Sequence, residues 1–144
     1  MTVQSLKPKT QEFLLALSKY LEFYGDRDKS KRILVSVLHA LRDTLSFDQS
    51  LQVLSSLPVN LKSIYIYNWS ISESGTTISP DTDFLKVVIK RAGKLSHYDF
   101  PEEKKALQNI RSVFSFIEEN IPESKMAIIR SNYPDSLKKI LNEK

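Results

Sequence analysis

His39 and Asp43 are the two side chains whose types and spacing come closest to acid–base chemistry. They stand four residues apart, so on a helix they would share one face, where a carboxylate can orient an imidazole for proton transfer. Neither a nucleophile motif nor a second ligand cluster nor a glycine-rich loop accompanies them. The sequence therefore favours a structural pair, lying away from the core stripe and packing near Trp69, over a catalytic one.

Metal and thiol chemistry have few donors in this sequence. It has no cysteine, which excludes a disulfide framework, a thiolate zinc site and a cysteine nucleophile. The second histidine, His97, stands beside Asp99 after Gly93, and we interpret it as part of a helix cap in a loop. We expect no catalytic, cofactor-binding or metal-binding residues.

Lys86, Lys90 and Lys94 recur at four-residue steps with Arg91 adjacent, which predicts a basic ridge along one helix face. A second basic cluster, at the start of a predicted helix whose dipole favours anions, comprises Lys29, Lys31 and Arg32. The formal net charge is +4, but 17 acidic residues are interspersed with 21 basic ones. The pattern favours a solvated surface and leaves anion or nucleic-acid binding as the alternative.

Tyr65, Tyr67 and Trp69 alternate just before a polar segment. Alternating aromatic side chains can stack nucleic-acid bases or anchor a partner protein, and the same stretch also alternates as a strand would. The spacing of Leu61, Ile64 and Tyr65 favours a helix instead. We interpret the aromatic residues mainly as closing one end of the core, with Trp69 partly exposed.

The elements that would position these residues are amphipathic helices. The first is predicted over residues 11–24, with Thr10 as its N-cap and Gly25 ending it. The second, over about 28–45, carries His39 and Asp43. Ser46 and Gln49 fit a capping box that begins a third helix.

Prolines and a polar segment divide the rest of the chain. Pro58 ends the third helix and begins a fourth, and residues 68–80 form a connector rich in serine and threonine. A short helix then ends near Gly93, and Asp99 is predicted to cap a long helix after it. Pro122 and Pro134 are predicted to begin the last two helices.

The two halves of the sequence align without a gap when the first is shifted by 76 positions. Apolar stripes coincide, and more specific matches include Pro58 with Pro134, Lys62 with Lys138 and Ile64 with Ile140. We predict a tandem duplication: repeat one at about 10–67, the connector at about 68–80 and repeat two at about 81–141. The expected fold is all-α, a single helical bundle over residues 1–144 built from two pseudo-symmetric repeats, with a ligand groove between them.

Composition and hydropathy limit the class of protein. Apolar residues make up 41% and charged residues 26%, which are ordinary values for a globular chain. The first residues have no apolar signal-like segment, and no stretch is long enough to span a bilayer. We expect a cytoplasmic protein with no membrane partner.

Two segments resemble the bacterial domain-of-unknown-function family 2267. The first-half pattern consists of Val37 to Leu45, Ser46 to Leu57, Pro58, Leu61, Tyr67 and Trp69. The second-half pattern consists of Asp83-Phe84-Leu85 and Tyr133-Pro134-Asp135-Ser136-Leu137, with Tyr133 where the family usually has leucine. The resemblance covers nearly the whole chain and implies an intracellular helical protein with no established activity.

The function expected from the sequence is a non-enzymatic protein-interaction or regulatory module. Its partner would be an unidentified protein, or a second copy in a homodimer, held in the groove between repeats or at the aromatic residues. Binding of anions or nucleic acid through the basic ridge is the alternative, and an enzyme ranks third because polar residues do not converge. The candidate contact residues are His39, Asp43, Tyr67, Trp69, Lys86, Lys90, Arg91 and Lys94.

Overall fold

The computed structural model describes residues 8–22, 25–69 and 82–143, with side chains from Gln11 onward. Over these ranges the chain is helical and contains no strand, so the all-α prediction is confirmed. The helices are α1 (Pro8–Tyr20), α2 (Arg27–Thr44), α3 (Phe47–Ser56), α4 (Val59–Ile66), α5 (Phe84–Ala92), α6 (Ser96–Asp99), α7 (Glu103–Asn120), α8 (Glu123–Ser131) and α9 (Asp135–Asn142). A short 3-10 turn, Gly93–Leu95, joins α5 to α6.

Helix α2 lies at the centre of the fold. Its predicted stripe, including Leu34 and Leu41, is buried, but so are His39 and Arg42 on other sides of the helix. The reason is that α1, α4, α5, α6 and α7 all pack against α2. A helix surrounded in this way buries polar residues as well as its apolar stripe, and these need partners inside the protein.

The two halves of the chain contribute to one apolar core. Helix α5 packs against α2, α3 against α8, and α1 against both α2 and α7. At the last contact the rings of Phe13 and Tyr20 meet Phe116 edge-on, at centroid distances of 4.6 and 5.1 Å. Helices from each half thus stabilise the other by burying its apolar surface.

The helix starts predicted from Ser46 and from the three prolines are confirmed. At α3, Ser46 Oγ accepts from the amide of Gln49 at 3.2 Å, and the Gln49 side chain accepts from the Ser46 amide at 3.0 Å. Pro58, Pro122 and Pro134 stand immediately before α4, α8 and α9. The segment Ile64 to Ile66 is helical rather than extended.

Replacing Ser46 with alanine is expected to lower the free energy of unfolding by about 1 kcal/mol, because the first turn of α3 loses its side-chain acceptor. Urea denaturation measures the change. Ser55→Ala is the matched control, since Ser55 is exposed in the same helix. Equal loss in both variants would contradict a specific role for the capping box.

The predicted bounds of α1 are wrong at both ends. Helix α1 begins at Pro8, so Thr10 lies inside it, and it ends at Tyr20 rather than 24. It ends early because Glu22 takes a left-handed conformation, with φ of 63°, that does not continue a helix. Gly25 lies beyond the helix, with φ of 81°, and donates its amide to Ser18 Oγ at 3.1 Å.

Asp99 does not cap α7, contrary to prediction. Its side chain is 1% exposed and accepts from Arg32 Nε at 3.0 Å and Nη2 at 2.9 Å. This hydrogen-bonded pair joins α6 to α2 and raises the pKa of Arg32. Glu102 precedes α7 and provides no side-chain cap. The Asp99 carboxylate is bound instead by Arg32, which is distant in sequence.

Of the predicted connector at 68–80, only Asn68 and Trp69 lie within the described residues.

Candidate functional site

Two polar side chains of α2 bind the carboxyl end of α4. His39 Nε2 lies 2.8 Å from the carbonyl oxygen of Ile64. Arg42 Nη1 donates to the carbonyl oxygens of Tyr65 at 2.8 Å and Tyr67 at 3.0 Å. The last carbonyl groups of a helix have no partner within it, so His39 and Arg42 supply the missing donors. We call this pair the α4 cap.

His39 is a buried, neutral histidine. It lies off the predicted core stripe of α2, yet it is only 5% exposed, because α4 covers its side of the helix. Burial lowers the pKa of His39 to about 4, and the positive charges of Arg42 and Arg91 act in the same direction. Since a carbonyl oxygen only accepts, the ring donates through Nε2–H.

Asp43 does not pair with His39. Its carboxylate accepts from Arg91 Nε and Nη2, both at 2.5 Å, and so joins α2 to α5. With His39 directed at a backbone carbonyl, no imidazole–carboxylate dyad is arranged for proton transfer. Both residues therefore connect helices here.

Tyr65 closes the core beside the α4 cap. Its ring is fully buried, and its hydroxyl lies 3.0 Å from Ser50 Oγ. Burial raises the pKa of Tyr65 to about 12. The Trp69 ring packs edge-on to Tyr65 at a centroid distance of 6.3 Å, which places Trp69 at the outer margin of the core.

An apolar surface extends outward from Trp69. Trp69 is partly buried, and its ring lies 5.5 Å from that of Phe47 and 5.8 Å from the Arg42 guanidinium carbon. Two side chains one turn apart on α3 and two at the end of α4 are 36–46% exposed. We call the whole surface the aromatic edge, and it consists of Phe47, Leu51, Ile66, Tyr67 and Trp69.

The predicted basic ridge is divided by the structure. Lys86, Lys90 and Lys94 are exposed, and none forms an ion pair with a residue that the structure describes. Arg91 instead binds Asp43. The exposed positive charges of the predicted ridge are therefore the three lysines around α5, because the Arg91 guanidinium is bound to Asp43.

The second basic cluster separates into different contacts. Lys29 lies over the ring of Tyr98 at 4.2 Å, and Arg32 binds Asp99. Lys31 is buried, which lowers its pKa. The Asp26 carboxylate accepts from the Lys29 amide at 3.0 Å, so the position where an anion would bind at the start of α2 holds a side chain of the protein.

The part of the chain that the structure describes contains neither a cluster of metal ligands nor a membrane-spanning helix. No three histidine or carboxylate side chains there come together to hold a metal ion. None of the helices there is long and apolar enough to cross a bilayer. His97 lies exposed in α6 rather than in the predicted loop, and its side chain caps none of the described helices.

Sequence reasoning missed Arg42, Phe47 and Leu51. Arg42 stands three residues after His39 on α2, so the two side chains share one face of the helix. This spacing could have identified Arg42 as part of the site. Phe47 and Leu51 have the four-residue spacing of a buried helix face, but both remain more than a third exposed. Periodicity identifies an apolar face without identifying what covers it.

The fold and this site define an all-helical protein in which the central helix secures the end of α4 behind an aromatic surface. The family described as "Uncharacterized conserved protein (DUF2267)" matches residues 10–140. The chain belongs to this family, as the resemblance implied. A search of curated proteins finds no match.

Proposed function

We propose that this protein is a non-enzymatic interaction module whose aromatic edge binds an apolar surface of a protein partner. The observation that carries the proposal is the grouping of Phe47, Leu51 and Trp69 on one surface while each stays accessible to solvent. Tryptophan and other aromatic residues are enriched among the side chains that dominate binding energy at protein interfaces.

The α4 cap makes the aromatic edge a pre-ordered surface. Arg42 binds two carbonyl groups at the end of α4 and also contacts the Trp69 ring. A surface whose backbone is already held loses less conformational entropy when a partner binds. The same contacts engage the polar residues that would otherwise be candidates for catalysis, which supports an interaction role over an enzymatic one.

A tandem duplication is part of this proposal, with repeat one at about 10–67 and repeat two at about 81–141 in one domain. Helices α7 and α9 begin and end 76 residues after α2 and α4. Ile64 and Ile140 are equivalent under this shift, and the carbonyl of each bonds to a side chain of its long helix, His39 or Arg111. These parallels support two copies of one helical unit.

The aromatic edge has no counterpart in the second half of the chain. Under the 76-residue shift, Phe47 corresponds to Glu123 and Leu51 to Ala127, while Tyr67 corresponds to Glu143. Repeat two therefore has polar or small residues where repeat one has large apolar ones. This difference between the repeats favours a partner that binds one half of the molecule.

The test compares tagged wild-type protein, Leu51→Asp and Val59→Asp, each purified gently from the native host with retained proteins quantified by mass spectrometry. Leu51→Asp is expected to reduce the partner's recovery at least about tenfold, because it places a charge in the aromatic edge. Val59→Asp is the control, since Val59 is a more exposed apolar residue at the other end of α4.

Three results would contradict this proposal. Equal recovery with both variants would remove the aromatic edge as the binding surface, and protein that elutes as a bare monomer would remove the partner. Nucleic acid retained by the wild type and released by salt would favour the alternative, in which Lys86, Lys90 and Lys94 bind anions. Circular dichroism of both variants establishes that they remain folded.

A further inference from the structure

The outer side of α5 and α6 combines ammonium groups with large apolar side chains. Both helices pack against α2, so their exposed residues lie on the side directed away from it. On α5, Lys86, Ile89 and Lys90 stand at steps of three and four residues and are all exposed, so they share one face of the helix. Charge and apolar surface therefore occur together on this face.

The turn after α5 continues this surface. Leu95 and Tyr98 stand three residues apart and are 43% and 52% exposed, while Ile89 is 37% exposed. Lys94 is exposed beside Leu95, and the Lys29 ammonium group lies 4.2 Å from the centroid of the Tyr98 ring. We call the surface the basic apolar face, and it consists of Lys86, Ile89, Lys90, Lys94, Leu95 and Tyr98.

Hydrogen bonds to Asp99 hold the backbone beneath Tyr98. The Asp99 carboxylate is 1% exposed and accepts from Arg32 of α2, and the Asp99 carbonyl oxygen accepts from Asn109 Nδ2 of α7 at 2.9 Å. Helix α6 is thus fixed to two other helices through buried contacts. The exposure of Tyr98 is therefore a property of the packed structure.

The charge of this segment is of one sign. Residues 84–98 contain no acidic residue, and their basic residues are Lys86, Lys90, Arg91 and Lys94. The three lysines form no ion pair with a residue that the structure describes, whereas Arg91 is bound to Asp43. Of the flanking carboxylates, Asp83 accepts from the Leu85 amide and Asp99 is bound to Arg32. The face therefore presents positive charge to an anionic ligand.

Apolar side chains between ammonium groups suit an anionic lipid surface better than a nucleic acid. Ile89 and Leu95 have no ring on which a base could stack, and the guanidinium of Arg91 is already held by Asp43. At the surface of a bilayer, lysine is attracted to anionic headgroups, while aliphatic and tyrosine side chains enter the boundary with the acyl chains. An anionic bilayer thus matches both kinds of side chain.

We propose that the basic apolar face binds the surface of a bilayer that contains anionic lipids. The lysine ammonium groups lie against the headgroups, and Ile89, Leu95 and Tyr98 enter the interface without crossing the bilayer. Binding of this kind needs no spanning segment. The face shares no residue with the aromatic edge, so the proposal does not depend on the function proposed for that edge.

Co-sedimentation with vesicles tests the contribution of charge. At low ionic strength the wild-type protein is expected to sediment with equimolar phosphatidylcholine and phosphatidylserine, and to stay in solution with phosphatidylcholine alone. Lys90→Gln is expected to weaken binding about fivefold, the contribution of one lysine near an anionic surface. Lys125→Gln, at an exposed lysine of α8, is the matched control and is expected to leave binding unchanged.

Leu95→Ser distinguishes entry into the interface from attraction of charge, because the substitution keeps the net charge. It is expected to weaken binding to the anionic vesicles about fivefold, since less apolar surface leaves water. Ile128→Ser on α8 is the matched control, because Ile128 is 42% exposed. Circular dichroism of all four variants establishes that they remain folded.

Three results would overturn the proposal. The first is that the wild-type protein fails to sediment with the anionic vesicles. The second is that the two members of either pair, Lys90→Gln with Lys125→Gln or Leu95→Ser with Ile128→Ser, have equal effects. The third is that a labelled single-stranded oligonucleotide stays bound at an ionic strength that releases the vesicles, which would assign the lysines to nucleic acid instead.

Discussion

Replacing Arg42 with methionine is expected to lower the free energy of unfolding by about 3 kcal/mol. Arg42 is 3% exposed and binds the carbonyl oxygens of Tyr65 and Tyr67, so its loss leaves acceptors at the end of α4 without that donor. Methionine keeps most of the buried hydrocarbon stem, so the change reports mainly on the hydrogen bonds and the charge.

Urea denaturation followed by tryptophan fluorescence measures this effect at the site itself, because Trp69 is the only tryptophan in the chain. Release of the Arg42 contact is also expected to shift the native emission of Trp69 to longer wavelength. Arg111→Met is the matched control: Arg111 binds one carbonyl, that of Ile140, and is only partly buried. A loss for Arg42→Met no greater than that for Arg111→Met would contradict the importance of the α4 cap.

The elements of the fold could be predicted because their signals are local. A capping box needs only Ser46 and Gln49, and proline acts on the backbone of its immediate neighbours. Helical spacing likewise decided between helix and strand for α4. The predicted end of α1 at Gly25 was wrong, because the left-handed backbone of Glu22 ends the helix earlier.

The candidate site was harder to predict, because side-chain partners come from other parts of the fold. His39 was paired with Asp43 on spacing, yet each binds a group on a different helix. Asp99 offers the same lesson: its capping position was reasonable, but Arg32, 67 residues away in sequence, competes successfully for the carboxylate. Spacing restricts which residues share a face and does not say which helix covers that face.

Exposure of the aromatic edge also depends on tertiary structure. Phe47 and Leu51 have the spacing of a buried stripe, and only the packing of α3 between α4 and α8 determines how much of each stays in contact with solvent. Under the 76-residue shift of the proposed duplication, Glu123 and Ala127 of α8 take the places of Phe47 and Leu51, so the proposed helical unit does not require large apolar side chains there.

Lowering the pH from 7.5 to 5 is expected to reduce the free energy of unfolding by about 2 kcal/mol through His39 alone. Burial lowers its pKa from 6.5 to about 4 in the folded state, so the unfolded chain binds more protons over this interval. The stability that His39 contributes is therefore complete above pH 6.5 and is lost as the pH falls toward 4. Urea denaturation at a series of pH values measures the slope.

His39→Gln separates this effect from the titration of carboxylates, which all variants share. The glutamine amide can still donate to the Ile64 carbonyl but does not titrate, so the loss of stability between pH 7.5 and 5 should shrink by about 2 kcal/mol. His97→Gln, at an exposed position on α6, is the control substitution. An unchanged slope in His39→Gln would mean that the imidazole gains a proton in place without disturbing the end of α4.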